Sequence, residues 1–338
     1  MKRQGVIGVL VVLLLAGMLF LGGILISQNT GRNKEPSYVF TYAENQAADY
    51  PTTQGAQYFA QLVKERTDGE VEILIYSGGV LGTEKEIIKQ MRYGGVDFAR
   101  ISISQISDLA PEFNVLQMPY LYRNADHMWK VLDGEIGKEY LENFENYGLE
   151  GLSWYDAGSR SFYMHDAPLT SLSDMKGKWI RVQESSLMAD MVTALGANPY
   201  QIDYSGVYAS LEQGIVDGSE NNLSSYASTG HYEVAKYYTL DEHTRVPEVQ
   251  ICSLKVWEQL PEEYQQIIRE CAEESALYER ELWTVNEANS WNQVVERGAY
   301  IYALSDEEKE KFQKAMEPVY EKYCGEYMDL VNKIMDMK

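Results

Sequence analysis

Lys176-Gly-Lys-Trp-Ile-Arg-Val182, followed at once by Gln-Glu-Ser-Ser-Leu-Met-Ala-Asp-Met-Val-Thr-Ala-Leu-Gly196, is the stretch on which the reading of this chain turns. Trp179, Ile180 and Val182 predict a short apolar strand that carries Arg181. Ser185 or Ser186 suits a helix N-cap, and Leu187, Met188, Met191, Val192 and Leu195 recur at helical spacing behind it. Gly196 stands where a helix end takes a left-handed residue. Asn198 to Ile202 reads as a second strand, and Val207, Tyr208 and Leu211 mark a second helix that stops at Gly214. Ile215 and Val216 are expected to begin a third strand that turns at Asp217-Gly218. Strand, helix, strand, helix, strand is the parallel α/β unit, which binds ligands beyond the carboxyl ends of its strands. Arg181 and Glu220-Asn221 are expected just past such ends.

A matching unit lies upstream. Tyr38 to Tyr42 reads as a strand ending at Glu44-Asn45-Gln46, with an amphipathic helix from about Thr52 to near Gly69. Val71, Ile73 and Ile75 alternate as a strand. Gly78-Gly79 and Gly82 break the chain before a helix at Glu84–Tyr93, and a further strand from Asp97 carries Arg100. Between the units, residues 111–157 read as Pro-rich turns, helices at His127–Leu132 and Lys138–Tyr147, and a strand at Leu152–Tyr155. Downstream, Val234–Leu240 and Val249–Leu254 look like strands that cross between two bodies. From Leu260-Pro261 a helical pattern runs without Pro or Gly to Gly298, roughly 50 Å at 1.5 Å per residue. Ala299–Ala303 is a last strand, and Ser305-Asp306-Glu307-Glu308 caps the closing helices.

The chain has 338 residues, which suits two domains better than one, and its 45% apolar content can fill a sizeable core. A net charge of -22 argues against nucleic acid and anionic lipid as partners, since both need a basic footprint. Lys2 and Arg3 precede an uncharged apolar run from Gly5 to Ile26, long enough to span a bilayer at about 20 residues. No good cleavage site follows, so residues 1–27 read as an uncleaved anchor ahead of a cleaved signal, with the remainder exported. Residues 28–37 form a polar linker. Cys252, Cys271 and Cys324 lie far apart with no CxxC pattern, which favours buried free thiols over a Cys271–Cys324 bridge.

Three motifs carry a resemblance: Gly158-Ser159-Arg160, Lys176 to Arg181, and Asp217-Gly218-Ser219-Glu220-Asn221. Together they resemble the substrate-binding proteins of TRAP transporters, the DctP-type family, over nearly everything after residue 37. The stretches Ala43-Glu44-Asn45-Gln46, Asp97 to Arg100, Glu220-Asn221-Asn222 and Asp241-Glu242-His243-Thr244-Arg245 resemble its hexuronate-binding branch, with Leu223 where that branch tends to carry Pro. The resemblance implies a two-domain α/β fold of the periplasmic-binding-protein (Venus flytrap) kind, with crossing strands and a long helix along both domains. The expected division is 38–157 plus 246–284 for domain I, and 158–245 plus 285–338 for domain II.

Arginine is the residue to expect at such a site, because its planar fork matches a carboxylate and stays charged when desolvated. Each arginine could instead pair with a protein carboxylate. The resemblance assigns ligand contact to Arg181, assisted by Arg160, and places Asn221 against the ligand. Glu184 and Tyr204 match cleft-lining positions, with Glu44 and Arg100 opposite. The aromatic pairs Trp154-Tyr155 and Phe162-Tyr163 read as core. His127, His165 and His231 read as structural, whereas His243 lies at an inter-domain crossing.

No nucleotide loop, nucleophile elbow or metal-ligand spacing is present in the sequence, so no enzyme, cofactor or metal is implied. The function expected is capture of a sugar acid, a hexuronate such as glucuronate or galacturonate, for delivery to integral-membrane TRAP subunits. A tethered binding protein serving a sensor, a binder of a dicarboxylate or other organic acid, and a secreted carbohydrate-active enzyme are the alternatives.

Overall fold

A computed structural model describes residues 35–338. The anchor and most of the linker therefore lie outside the described residues. Two sheets organise the chain. The first has the order β2-β1-β3-β10-β4, built from β1 (Tyr38–Ala43), β2 (Val71–Tyr76), β3 (Phe98–Ser102), β4 (Leu149–Tyr155) and β10 (Glu248–Ser253). The second runs β11-β9-β5-β8-β6-β7, from β5 (Arg160–Met164), β6 (Trp179–Val182), β7 (Asn198–Gln201), β8 (Gly218–Asn222), β9 (Tyr237–Thr244) and β11 (Tyr300–Ala303).

Each sheet contains one of the units anticipated from sequence. In the first, β1 pairs in parallel with β2 and β3, and α1 (Pro51–Arg66) and α2 (Glu84–Tyr93) make the crossovers. Helix α2 opens on a full capping box, Thr83 with Glu86, and closes on Gly94 at φ 78°. In the second, β6 pairs in parallel with β7 and β8, crossed by α3 (Ser186–Ala194) and α4 (Val207–Glu212). Ser185 caps α3, as its spacing predicts.

Strand β8 departs from expectation. It starts at Gly218 instead of turning there, and Ile215 is 47% exposed. The buried strand is Gly-Ser-Glu-Asn-Asn, whose polarity hides it from a search for apolar alternation. Glu220 and Asn221 thus lie within β8, beside β5 in antiparallel register.

The chain passes between the sheets at residues 156–159, from β4 to β5, and at 245–247, from β9 to β10. Helix α5 (Glu262–Glu296) is the 35-residue element read from the Pro- and Gly-free pattern. It packs on α1 and β4 beside the first sheet, and on the short helix after β8 beside the second. Gly158 sits at the first crossing with φ 60°, and a Cβ there would meet Glu287 Oε1 at 2.9 Å and Trp283 at 3.1 Å. That conformation and that approach of α5 together require the glycine of Gly-x-Arg.

One continuous core runs from the first sheet (Ile101, Trp154) through Phe113 and Phe144 to Phe162, Ile180 and Met191, and on to Phe312, Val319 and Ile334 of the closing helices. Those helices touch both sides. Tyr320 donates to Pro119 O at 2.8 Å and Tyr323 to Asp190 Oδ2 at 2.6 Å. Trp154, Tyr155, Phe162 and Tyr163 are all core. Cys252, Cys271 and Cys324 are buried and free.

Gly218 of the Asp-Gly-x-Glu-Asn motif lies where β5 presses on β8. A Cβ would fall 2.4 Å from Met164 Sδ and 2.5 Å from Tyr163 O. Gly218→Ala should therefore destabilise the protein by about 1–3 kcal/mol through overpacking against backbone, measurable by denaturant titration.

Candidate functional site

Parallel α/β units leave the carboxyl ends of their strands facing open space, and here the two sets of ends face each other. A cavity of about 250 Å³ lies between them, just below the range of roughly 300–1,000 Å³ usual for small-molecule pockets. Its first wall offers Asn45, Gln46, Glu84, Arg100, Gln105 and Glu248, and its second Arg160, Arg181, Gln183, Glu184, Tyr204, Asn221 and Asn222. Tyr50 and Trp283 also line it, with rings in edge-to-face contact at 5.8 Å.

The three arginines are in different states. Arg160 is committed: Nε reaches Glu220 Oε2 at 2.5 Å, and Nη2 donates to Glu220 Oε1 at 2.9 Å and to the Glu220 carbonyl at 3.1 Å. Glu220 also accepts from His243 Nε2 at 3.4 Å, and His243 Nδ1 donates to Asp241 Oδ2 at 2.8 Å. Arg100 is shared among Glu44, Glu84 at 3.3 Å, Glu248 at 2.7 Å and the Asn45 side chain.

Arg181 has no such carboxylate. It is 1% exposed, and Nε (3.0 Å) and Nη2 (2.7 Å) both donate to the Ile202 carbonyl at the end of β7. Nη1 is buried with no hydrogen-bond partner among the described residues. Burial pulls its pKa below the ordinary value, with the nearby Glu220 acting the other way. A guanidinium nonetheless stays protonated. The cavity therefore ends in a desolvated cation with one free donor, a costly arrangement unless an anion completes it.

The site residues expected from sequence come together with one exception. Arg181, Arg160, Asn221, Glu184, Tyr204 and Arg100 all line the cavity. Glu44 stands behind it, 2% exposed, with its carboxylate spent on Arg100 and on Gln46 N. Asn221 Oδ1 accepts from Asn222 N at 2.8 Å, which leaves its amide donors available. His243 is a buried partner of Glu220 and Asp241, which accounts for its place at the crossing.

Sequence reasoning passed over Glu84, Glu248, Gln105, Gln183, Tyr50 and Trp283. Glu84 carried a signal, since it opens a helix just past the carboxyl end of β2 and a glycine-rich turn. Glu248 carried none, because only the antiparallel pairing of β10 with β3 brings it beside Arg100.

Hydrogen bonds bridge the two walls. Tyr204 donates to Gln46 Oε1 at 3.1 Å, Ser104 to Gln183 Oε1 at 2.9 Å, and Tyr50 OH lies 2.9 Å from Ser225 Oγ. The cleft is thus closed over its cavity.

The Arg160–Glu220–His243–Asp241 chain ties stability to pH. Glu220 is fully buried, yet Arg160 and His243 hold it down to about 2. Against the desolvation of its ring, Asp241 and Glu220 raise His243 to about 9. The Glu220 contribution is full above about 4.5 and lost as pH falls through 2. The His243 contribution is full below about 6.5 and lost as pH rises through 9. Stability should accordingly fall between pH 6 and pH 9. Denaturant titration at both pH values checks this, and His243→Gln should shrink the difference.

Two α/β bodies joined by crossing strands, closed over a cavity with a buried cation, define a solute-binding protein. The chain matches the family model for bacterial extracellular solute-binding proteins, family 7, over residues 42–326, and belongs to that family. It is 36% identical over 289 residues to a solute-binding protein of Chromohalobacter salexigens, covering 86% of this chain and 85% of that one. Among solved structures, a TRAP periplasmic solute-binding protein from Bradyrhizobium sp. BTAi1 in complex with α/β-D-galacturonate superposes with TM-score 0.86. It is 39% identical, covering 88% of this chain and 99% of the other. A Pseudomonas putida F1 counterpart with bound D-glucuronate also superposes with TM-score 0.86, at 36% identity over 89% and 97% of the two chains. The protein is a binder, not an enzyme.

Proposed function

We propose that this protein captures a hexuronate, with Arg181 Nη1 receiving the ligand carboxylate, and delivers it to integral-membrane TRAP transporter subunits. The free donor of a buried Arg181 at one end of a 250 Å³ cavity carries this reading. The opposite wall supplies acceptors and mixed groups, Glu248, Gln105 and Asn45, which suit sugar hydroxyls. A bare dicarboxylate would want a second cation there, whereas Arg100 is already surrounded by carboxylates. The galacturonate and glucuronate held by the two similar structures support the same class.

Each sheet with its helices acts as one lobe, residues 38–157 with 246–284 and residues 158–245 with 285–338, and the lobes close by a hinge at the two crossings. Ligand favours the closed state by bonding both walls at once.

Calorimetric titration with glucuronate, galacturonate, succinate and glucose decides the substrate class. Binding of the uronates alone is expected. Tight succinate binding without the uronates would refute the sugar-acid reading, and equal binding of glucose would remove the carboxylate contact.

Residues 1–27 serve as a membrane tether that leaves the folded part exported, at the outer face of the cytoplasmic membrane or in the periplasm. Fractionation of native material with N-terminal sequencing tests this, and a soluble product beginning after Ile26 would sink it.

A further inference from the structure

Three carboxylates meet one guanidinium on the first wall. Arg100 from β3, 3% exposed, is bonded to Glu44 at the end of β1, Glu84 at the start of α2 and Glu248 on β10. Their side chains are 0%, 11% and 9% exposed. Across the cavity, Arg160 on β5, Arg181 on β6 and Glu184 beyond it face the cluster. On the helix of Glu84 itself, Lys85 pairs with Asp108, and Glu86 is used in the Thr83 cap.

Fully ionised, the cluster would hold three negative charges on one positive charge in a desolvated wall. Like charges that close oppose one another's ionisation and favour a proton on one carboxyl of the set. The distances indicate which. Glu44 takes two donors of Arg100, Glu248 lies at 2.7 Å, and Glu84 has the longest contact at 3.3 Å. Oε1 of Glu84 makes both of its hydrogen bonds, to Arg100 Nη1 and to Ser102 N, which leaves Oε2 for the cavity that the residue lines. Burial beside Glu248 and Glu44, opposed by Arg100, pushes Glu84 up to about 7, and burial raises Glu248 as well.

We propose that, with ligand bound, Glu84 is a neutral carboxylic acid on the cavity wall, a hydrogen-bond donor among acceptors, so that the sugar acid is taken up together with a proton. This rests on the hexuronate reading. In that reading the ligand's negative charge sits at Arg181 Nη1, unpartnered in the same cavity. Bringing that charge into a closed cavity strengthens the hold of the wall on its proton. By reciprocity, protonating the wall strengthens the hold on the ligand. The acid form of Glu84 also selects for an acceptor oxygen, such as a ring or carbonyl oxygen, where the other carboxylates select for hydroxyls.

Titration calorimetry with glucuronate in buffers of different ionisation heat, at pH 7.5, tests this on the unmodified protein. Net proton uptake is expected, and no uptake would overturn the proposal. Affinity should weaken about tenfold from pH 6 to pH 8, a window below the titration of His243 near 9. Glu84→Gln, which carries a fixed donor, should flatten that dependence to about twofold or less. An unchanged slope in the variant would assign the proton elsewhere and refute the role of Glu84. A ligand-free measurement separates this from the substrate reading. Carbon NMR of glutamate-labelled protein should show a carboxyl titrating near 7 that is missing in Glu84→Gln. If no uronate binds but that resonance is present, the hexuronate reading fails while the acid stands; if the resonance is absent, the proposal fails whatever binds.

Discussion

Arg181→Lys should lower uronate affinity by about 2–3 kcal/mol, ~30- to 150-fold, with the fold intact. Arg181 does two jobs with one planar group. Nε and Nη2 fix it to the Ile202 carbonyl, and Nη1 is left for the cavity. A lysine carries the same charge on a single nitrogen. It can hold the carbonyl or meet the ligand, but it does not offer an oriented fork to both. Calorimetry with glucuronate reads the affinity, and circular dichroism reads the fold. Wild-type affinity in the lysine variant would remove Arg181 from carboxylate recognition.

The largest effect on stability is expected at Glu220. Glu220→Gln should cost about 3–5 kcal/mol, because it breaks a buried ion pair while leaving the cations in place. Glu220 is 0% exposed, and the substitution removes the carboxylate from both Arg160 and His243. The glutamine has the right shape but turns an amide donor toward a guanidinium. It also leaves Arg160, Arg181 and His243 as neighbouring buried cations. The thermal midpoint should fall by on the order of 10 °C. A midpoint within a degree of wild type would show that the pair adds nothing net to stability.

Much of the framework was legible in the residues themselves. The glycine break at Gly82 and the helix expected at Glu84–Tyr93 match α2, whose ends the structure shows to be capped by Thr83 with Glu86 and by Gly94. The 35 residues of α5 contain neither Pro nor Gly, so nothing in the local sequence interrupts that helix as it passes one sheet toward the other. The parallel units at 38–102 and 179–222 followed from the alternation of strand and helix patterns. β8 was the failure, for a physical reason. Ser219, Glu220, Asn221 and Asn222 are 0–4% exposed, so polar side chains occupy a strand whose burial is decided by its neighbours.

The arginines divide along the same line. Their identity and their position near strand ends are properties of the sequence. Whether each is free for ligand is a property of the fold. Arg160 lies opposite Asn222 in the β5–β8 register, which sets Glu220 one diagonal away and commits the guanidinium to it. Arg100 collects carboxylates 56, 16 and 148 residues distant, and pairing of β10 beside β3 brings the farthest of them in. Arg181 meets only a backbone carbonyl, that of Ile202 just past β7, because Ser219 lies opposite it on β8 and the adjoining Glu220 is committed to Arg160. Local spacing determined where these charges could stand along the chain. Only the tertiary structure, by choosing which strands lie side by side, decided which charge was left uncompensated.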